Sequence, residues 1–210
     1  MASRVRAPLA LVTAPSRREV SDTELALGLR EGEPWAVNEV WHRYAAMVLR
    51  MAERALGSRS DAEDLAQEVF YRVCQRAPGL RDPSSLRSFV YSIAVRLLKT
   101  TLRYRRLRRW LSFEGPETLA DLPQRSADVE ARDLLRRFYL LLDRLSARDR
   151  LVFLLRRVES MTIDEIATVM GVSESTVKRS LLHATERLSR WVRADPALAE
   201  LAVPSFGGSA

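Results

Sequence analysis

The stretch Thr162-Ile-Asp-Glu-Ile-Ala-Thr-Val-Met-Gly-Val-Ser-Glu-Ser-Thr-Val177 decides the fold. Thr162 and Glu165 have the spacing of a capping box, in which a hydroxyl and a carboxylate satisfy amides left orphaned at a helix start. Ile163, Ile166 and Ala167 fall on the inward face of the helix that follows. Gly171 stops it, because glycine accepts the left-handed backbone that helix ends often adopt. Ser173 can cap a second helix, in which Val177, Leu181 and Leu188 are buried. Ala167, Gly171 and Val177 thus supply a small residue at a crossing, a permissive turn and an apolar anchor, which together predict a helix-turn-helix. Its second helix turns Glu174, Ser175, Thr176, Lys178 and Arg179 outward, a polar set suited to phosphates and base edges in a major groove.

Working outward, the rest of the chain also reads as helix. Leu134–Leu145 and Ala147–Val158 form two amphipathic segments ahead of the helix-turn-helix. Earlier, Val37, Val40, Trp41, Tyr44, Val48, Met51, Ala52 and Ala55 recur at three- and four-residue steps, and Gly57 ends that helix. Ser60 or Asp61 is placed to cap the next helix, whose stripe is Ala62, Leu65, Ala66, Val69, Phe70, Val73 and Cys74. Pro78-Gly79 breaks it. A third stripe, Leu86, Phe89, Val90, Ile93, Ala94, Leu97 and Leu98, follows a polar loop, and a short helix over Asp22–Leu29 precedes all three. Phe89 shares the apolar stripe and reads as core, whereas Tyr91 falls off it and is expected to face outward.

The fold class is therefore all-α: two small helical domains joined by a flexible acidic linker, the second carrying the helix-turn-helix. The expected boundaries are a flexible basic tail at 1–19, a first domain at 20–112, a linker at 113–133, a second domain at 134–193 and a C-terminal tail at 194–210. Twenty linker residues, fully extended, reach at most about 66–70 Å. That exceeds one turn of duplex, about 34–36 Å.

Composition narrows the function. The 210 residues carry 34 Lys and Arg against 27 Asp and Glu, a net charge of +7, with 8 Gly and 9 Pro, too few for a Gly-rich linker array or an all-β chain. Between Ser84 and Trp110 stand Arg87, Arg96, Lys99, Arg103, Arg105, Arg106, Arg108 and Arg109 with no carboxylate among them. From Phe113 to Asp133 the sign flips, with Glu114, Glu117, Asp121, Asp128, Glu130 and Asp133. Basic blocks separated by an acidic one point to two units that both meet polyanions. The single cysteine, Cys74, excludes a disulfide framework and a multi-Cys zinc site, and His42 and His183 have no companions for a metal. No P-loop and no nucleophile–base pair is present, so neither a catalytic residue nor a cofactor is expected. No run approaches the ~20 apolar residues of a membrane span. A reduced, cytoplasmic protein is expected.

Ser60-Asp-Ala-Glu-Asp-Leu-Ala-Gln-Glu-Val-Phe70, with Ser84-Ser-Leu-Arg-Ser-Phe-Val-Tyr-Ser-Ile-Ala94 downstream, resembles region 2 of bacterial sigma factors. Leu145-Ser-Ala-Arg-Asp-Arg150, Thr176-Val-Lys178 and Glu186-Arg-Leu188 resemble their region 4. Two regions with a short connector resemble the extracytoplasmic-function group of the sigma-70 family. The resemblance covers roughly residues 20–193.

It implies partners and roles. Asp61, Glu63, Asp64, Gln67 and Glu68 occupy the motif that grips the β′ coiled coil of core RNA polymerase; clustered carboxylates accept paired hydrogen bonds from arginines. The second domain would meet the β flap. The loop Arg81-Asp82-Pro83-Ser84-Ser85 corresponds to the family's base-capturing loop at the promoter minus-10 element. Arg81, Asp82, Ser84, Ser85, Arg87, Ser88, Tyr91, Arg96 and Lys99 are the candidates to hold the separated strand, with Tyr91 stacking on a base. Ser173, Glu174, Ser175, Thr176, Lys178, Arg179 and His183 are the minus-35 candidates. The family's usual Ser-Arg order is inverted at Arg179-Ser180, which swings the arginine about 100° around the helix. The group's regulation implies an anti-sigma factor as a further partner. The rival expectation is a free-standing helix-turn-helix regulator whose first domain senses a ligand or dimerises.

Overall fold

The computed structural model describes residues 20–112 and 129–200. The expected tail at 1–19, most of the linker and the last ten residues lie outside them. Among the described residues the regular structure is helix, with two short 3-10 turns. Helix α1 (Asp22–Glu31) opens with Ser21 and Glu24 in a reciprocal capping box. It crosses α2 (Pro34–Leu56) at Gly28, where a Cβ would stand 2.6 Å from Trp35 Cζ2, so only glycine permits so close an approach. Gly57 closes α2 in the left-handed conformation, as the sequence predicts. The next cap is Ser58, whose hydroxyl accepts from the Asp61 amide, so α3 (Arg59–Arg76) begins before Ser60 and Asp61. Those two residues are inside the helix, a correction of the expected start.

A 3-10 turn at Ala77–Gly79 marks the predicted break, and a second at Pro83–Ser85 leads into α4 (Leu86–Ser112). Helices α1 to α4 enclose one core, with Leu25, Val40, Val48, Val69, Leu86 and Leu98 excluded from solvent. Each such side chain contributes about 1.5–3 kcal/mol. On α2 the expected stripe is narrower than drawn. Val40, Tyr44, Val48 and Met51 are buried, but Val37 and Trp41 remain 40% exposed, Trp41 leaning on the Phe70 ring at a centroid distance of 4.8 Å. Cys74 packs against the core edge, where burial pushes its thiol up, consistent with an inert filler.

The second group contains α5 (Val129–Asp143), α6 (Ala147–Arg157), α7 (Ile163–Met170), α8 (Glu174–Ala194) and the single turn α9 (Pro196–Ala199). Residues 129–133, expected in the linker, are already helical. Part of the expected C-terminal tail is structured too: Asp195 caps α9 and Leu198 is buried. Helix α6 departs most from expectation. It is more deeply enclosed than an amphipathic surface helix, because Asp149 to Leu155 are buried without interruption while Arg148, Arg156 and Arg157 stay exposed. A stretch covered all round must be enclosed, and α6 packs on α8 and α7 on one side and on α4 and α2 on the other. The two groups are thus in direct contact, also through α4 and α7 and through an Arg54–Glu159 ion pair of 2.8 Å.

Candidate polymerase and nucleic-acid interfaces

The helix-turn-helix is built as the sequence dictates. Thr162 Oγ1 accepts from the Glu165 amide at 3.2 Å, and Glu165 Oε2 accepts from the Thr162 amide at 2.7 Å. Gly171 has φ 63°, and its neighbour Val172 donates back to the Ala167 carbonyl at 3.0 Å, closing α7. Ser173 then caps α8: its hydroxyl accepts from the Thr176 amide at 3.3 Å and lies 2.9 Å from Thr176 Oγ1. Two predicted minus-35 residues are therefore engaged with each other in the turn. Val177 and Leu188 are buried as expected, and Leu181 is partly so. Glu174, Ser175, Lys178 and Arg179 face outward, with Lys178 paired to Glu174 at 3.3 Å.

The amide of Thr162 and then its hydroxyl hold the Glu165 carboxyl below the usual carboxylate range. A depressed folded value means that the stabilisation is present above the unfolded value and lost as the pH falls through the folded one. Replacing Glu165 by Gln is therefore expected to flatten part of the acid-side decline in stability. Thermal melts of both proteins between about pH 7 and pH 3 read this directly, and parallel declines would contradict it.

On α3 the carboxylates predicted to grip a partner lie on an accessible face. Asp64 and Gln67 are exposed. Glu63 pairs with Arg59 at 2.9 Å and Glu68 with Arg72 at 2.5 Å, each one turn away on the same helix. Asp61 is bound by Arg105 of α4, which also donates to the Leu56 carbonyl at 2.9 Å. Asp61 thus ties α3 to α4. Exposed Tyr71 continues the stripe one turn beyond Asp64, Gln67 and Glu68, with its hydroxyl accepting from Gln75 at 2.7 Å. The sequence reading missed Tyr71, although its i+7 spacing from Asp64 was the available signal.

The loop before α4 is shaped by Asp82. Its carboxylate accepts from the Ser84 amide at 3.0 Å and hydroxyl at 2.7 Å, and its carbonyl accepts from Ser85 Oγ at 2.8 Å. Arg81, Asp82 and Ser84 are exposed at this bend, Arg87, Ser88 and Arg96 are exposed on α4, and Lys99 is half-buried. Tyr91 corrects the expectation. It is 5% exposed, inside the core, with the Arg87 guanidinium 5.8 Å from its ring centroid. The reason is that α4 packs on α1, α2, α3 and α7, so more than one of its faces is covered. Phe89, read as core, is only partly buried. Among the described residues of the basic run the exposed aromatic is Tyr104, at 65%, beside Lys99, Arg103 and Arg106 in a groove between α4 and the start of α6.

Residues 40–108 match the family model Sigma-70 region 2, and residues 135–188 match Sigma-70, region 4. The chain is 36% identical over 139 residues to the ferric citrate uptake sigma factor FecI of Escherichia coli, across 63% of this chain and 77% of that protein. The chain belongs to the sigma-70 family. Within it the extracytoplasmic-function group is matched by SigM of Mycobacterium tuberculosis, 26% identical over 174 residues, spanning 83% of this chain and 86% of SigM. The fold of CnrH, solved with the cytosolic domain of CnrY, overlays with a TM-score of 0.61 at 24% identity, covering 83% of this chain and 98% of that one. RpoE of Bartonella quintana, solved with the anti-sigma factor NepR, overlays at 0.54 and 18% identity, covering 75% and 97%. This sigma factor thus belongs to a family of transcription-initiation regulators rather than enzymes. Among its described residues no helix is long and apolar enough to cross a membrane, and no cluster of His, Cys, Asp or Glu has the makings of a metal site.

Proposed function

We propose that this sigma factor binds core RNA polymerase through α3, opens promoter DNA at a minus-10 element with the loop and outer face of α4, and reads a minus-35 element with α8. The observation that carries the reading is the coexistence, in one chain, of an exposed acidic stripe on α3, an acid-free basic face on α4 and a doubly capped helix-turn-helix. Strand separation needs a surface that captures unpaired bases and neutralises backbone, and Arg81, Ser84, Arg87, Ser88, Arg96 and Lys99 offer cations and polar groups for it. With Tyr91 in the core, stacking falls to an aromatic such as Tyr104.

Under this reading α3 meets the β′ coiled coil, the second group meets the β flap, and an anti-sigma factor restrains the protein, as CnrY and NepR are bound by the relatives above. The work is recruitment, carried out in the cytoplasm without catalysis by the chain itself. The deciding experiment is transcription in vitro with core polymerase on a promoter library. Initiation at defined sites that share two spaced elements is expected; no site-specific initiation on any template would overturn the proposal. Replacing Lys178 and Arg179 by Ala is expected to weaken binding at the upstream element by about 1–3 kcal/mol where either makes a bidentate base contact. An unchanged footprint there would remove both residues from the reading surface.

A further inference from the structure

The recognition helix is held to α6 by two side chains that lie 34 positions apart in the chain. His183 Nδ1 is 3.0 Å from Asp149 Oδ2. The Asp149 side chain is 11% exposed and that of His183 is 48% exposed. An ionised carboxylate only accepts hydrogen bonds, so this contact places the ring proton on Nδ1 and leaves Nε2 on the opposite edge of the ring. The pair borders a notch of about 410 Å³ whose other walls are Arg148, Thr176, Arg179 and Ser180. The charged groups that line the notch with the imidazole are Asp149 and Arg148 from α6 and Arg179 from α8, and Glu186 and Arg187 follow one turn farther along α8. In the adjoining groove α4 adds Lys99, Arg103 and Arg106 beside Arg148 and Asp149. Asp149 is the one carboxylate that lines the notch, and it is turned onto His183.

His183 is also far along the helix. Nine residues beyond Glu174 it stands about 14 Å from the helix start, whereas helix-turn-helix proteins read base edges with the first residues of that helix. A group at this depth, sharing a notch with an arginine from another helix, is placed for the sugar–phosphate backbone.

We infer that Asp149 is a positioning residue, holding His183 so that Nε2, together with Arg148 and Arg179, receives a backbone phosphate of the upstream duplex. The inference rests on the promoter-binding reading above and gives one of its candidate residues a specific ligand. In the complex the Asp149 carboxylate and the phosphate favour the ring carrying both protons, and Arg148 and Arg179 oppose it. A hydrogen bond from Nε2 to the phosphate requires that doubly protonated ring, so the contact takes up a proton from solvent where it forms, and the phosphate stays anionic.

The test uses the full chain assembled with core polymerase on a promoter fragment from which it initiates. Affinity is measured against salt at about pH 6 and about pH 8, on either side of the range in which imidazole changes charge. The wild type is expected to show a log–log salt slope steeper than that of His183→Gln by about 0.9 at the lower pH, the signature of one neutralised phosphate, with the difference closing at the higher pH. Asp149→Asn keeps the volume and is expected to weaken binding about 3- to 10-fold, the size of one net hydrogen bond. In the His183→Gln background the same change should cost nothing further. Equal slopes for wild type and His183→Gln at both pH values would overturn the phosphate contact. An Asp149→Asn loss that persists without His183 would overturn the positioning role. If wild type and both variants alike form no polymerase-dependent promoter complex, the promoter reading itself fails and takes this inference with it.

Discussion

A chain carrying Asp64→Lys and Glu68→Lys is expected to lose its association with core RNA polymerase while keeping its helix content. The face of α3 that holds these carboxylates is open to solvent, and its buried residues Ala62, Leu65, Ala66, Val69 and Phe70 are on the other side. Asp64 is exposed, and Glu68 is held only by Arg72 on its own helix. An exposed pair of this kind contributes at most about 1 kcal/mol, so breaking it leaves the fold intact. Against a basic partner the effect is much larger, because two attractive charges become two repulsive ones at an interface that excludes water. Co-elution on gel filtration, read beside far-ultraviolet circular dichroism, separates the outcomes. Retained association would remove the grip from α3, and lost helicity would show a folding role instead.

The second large effect concerns Asp143. Arg150 of α6 is 2% exposed, its Nη1 group pairs closely with the Asp143 carboxylate, and its Nε and Nη2 groups have no hydrogen-bond partner among the described residues. Burial lowers the guanidinium's proton affinity, with Asp143 the chief opposing influence. Asp143→Ala leaves that charge buried and uncompensated, and the expected loss is about 3–5 kcal/mol. For a chain of this size that lowers the melting midpoint by about 6–20 °C. The double replacement Asp143→Leu with Arg150→Met should restore most of it, since apolar residues of similar volume often replace a buried ion pair without loss. Thermal melts of the wild type and the two variants decide. A single mutant that melts with the wild type would mean that Arg150 does not depend on Asp143.

How far the sequence carried depended on how local the deciding interactions are. The turn between α7 and α8 was legible to the residue, because Thr162, Glu165, Gly171 and Ser173 act across three or four positions. The start of α3 was misplaced by a few residues, since Ser58, Ser60 and Asp61 are all competent caps and only the path out of Gly57 selects Ser58. Tyr91 was misread because a single-stripe view suits a helix with one neighbour, and α4 has several. In α6 the run Arg148-Asp149-Arg150 looks like a solvated face, yet Asp149 and Arg150 are buried, against His183 and Asp143, partners that periodicity does not reveal. The acidic and basic blocks were plain in the sequence. It was not plain that Asp61 is spent on Arg105, across 44 positions.

The two caps and the glycine that set the angle between α7 and α8 do their work through backbone amides and a left-handed φ. The outward side chains of Glu174, Ser175, Lys178 and Arg179 take no part in that scaffolding. Apart from Ser173 and Thr176, which cap the turn and are also candidates for DNA contact, address and architecture are written in separate letters. Under the proposed reading of α8, exchanging the outward set for another polar combination would redirect the protein to a different DNA sequence with little cost to its hinge, whereas a substitution at Gly171, where φ is 63°, would strain the turn that positions all of them.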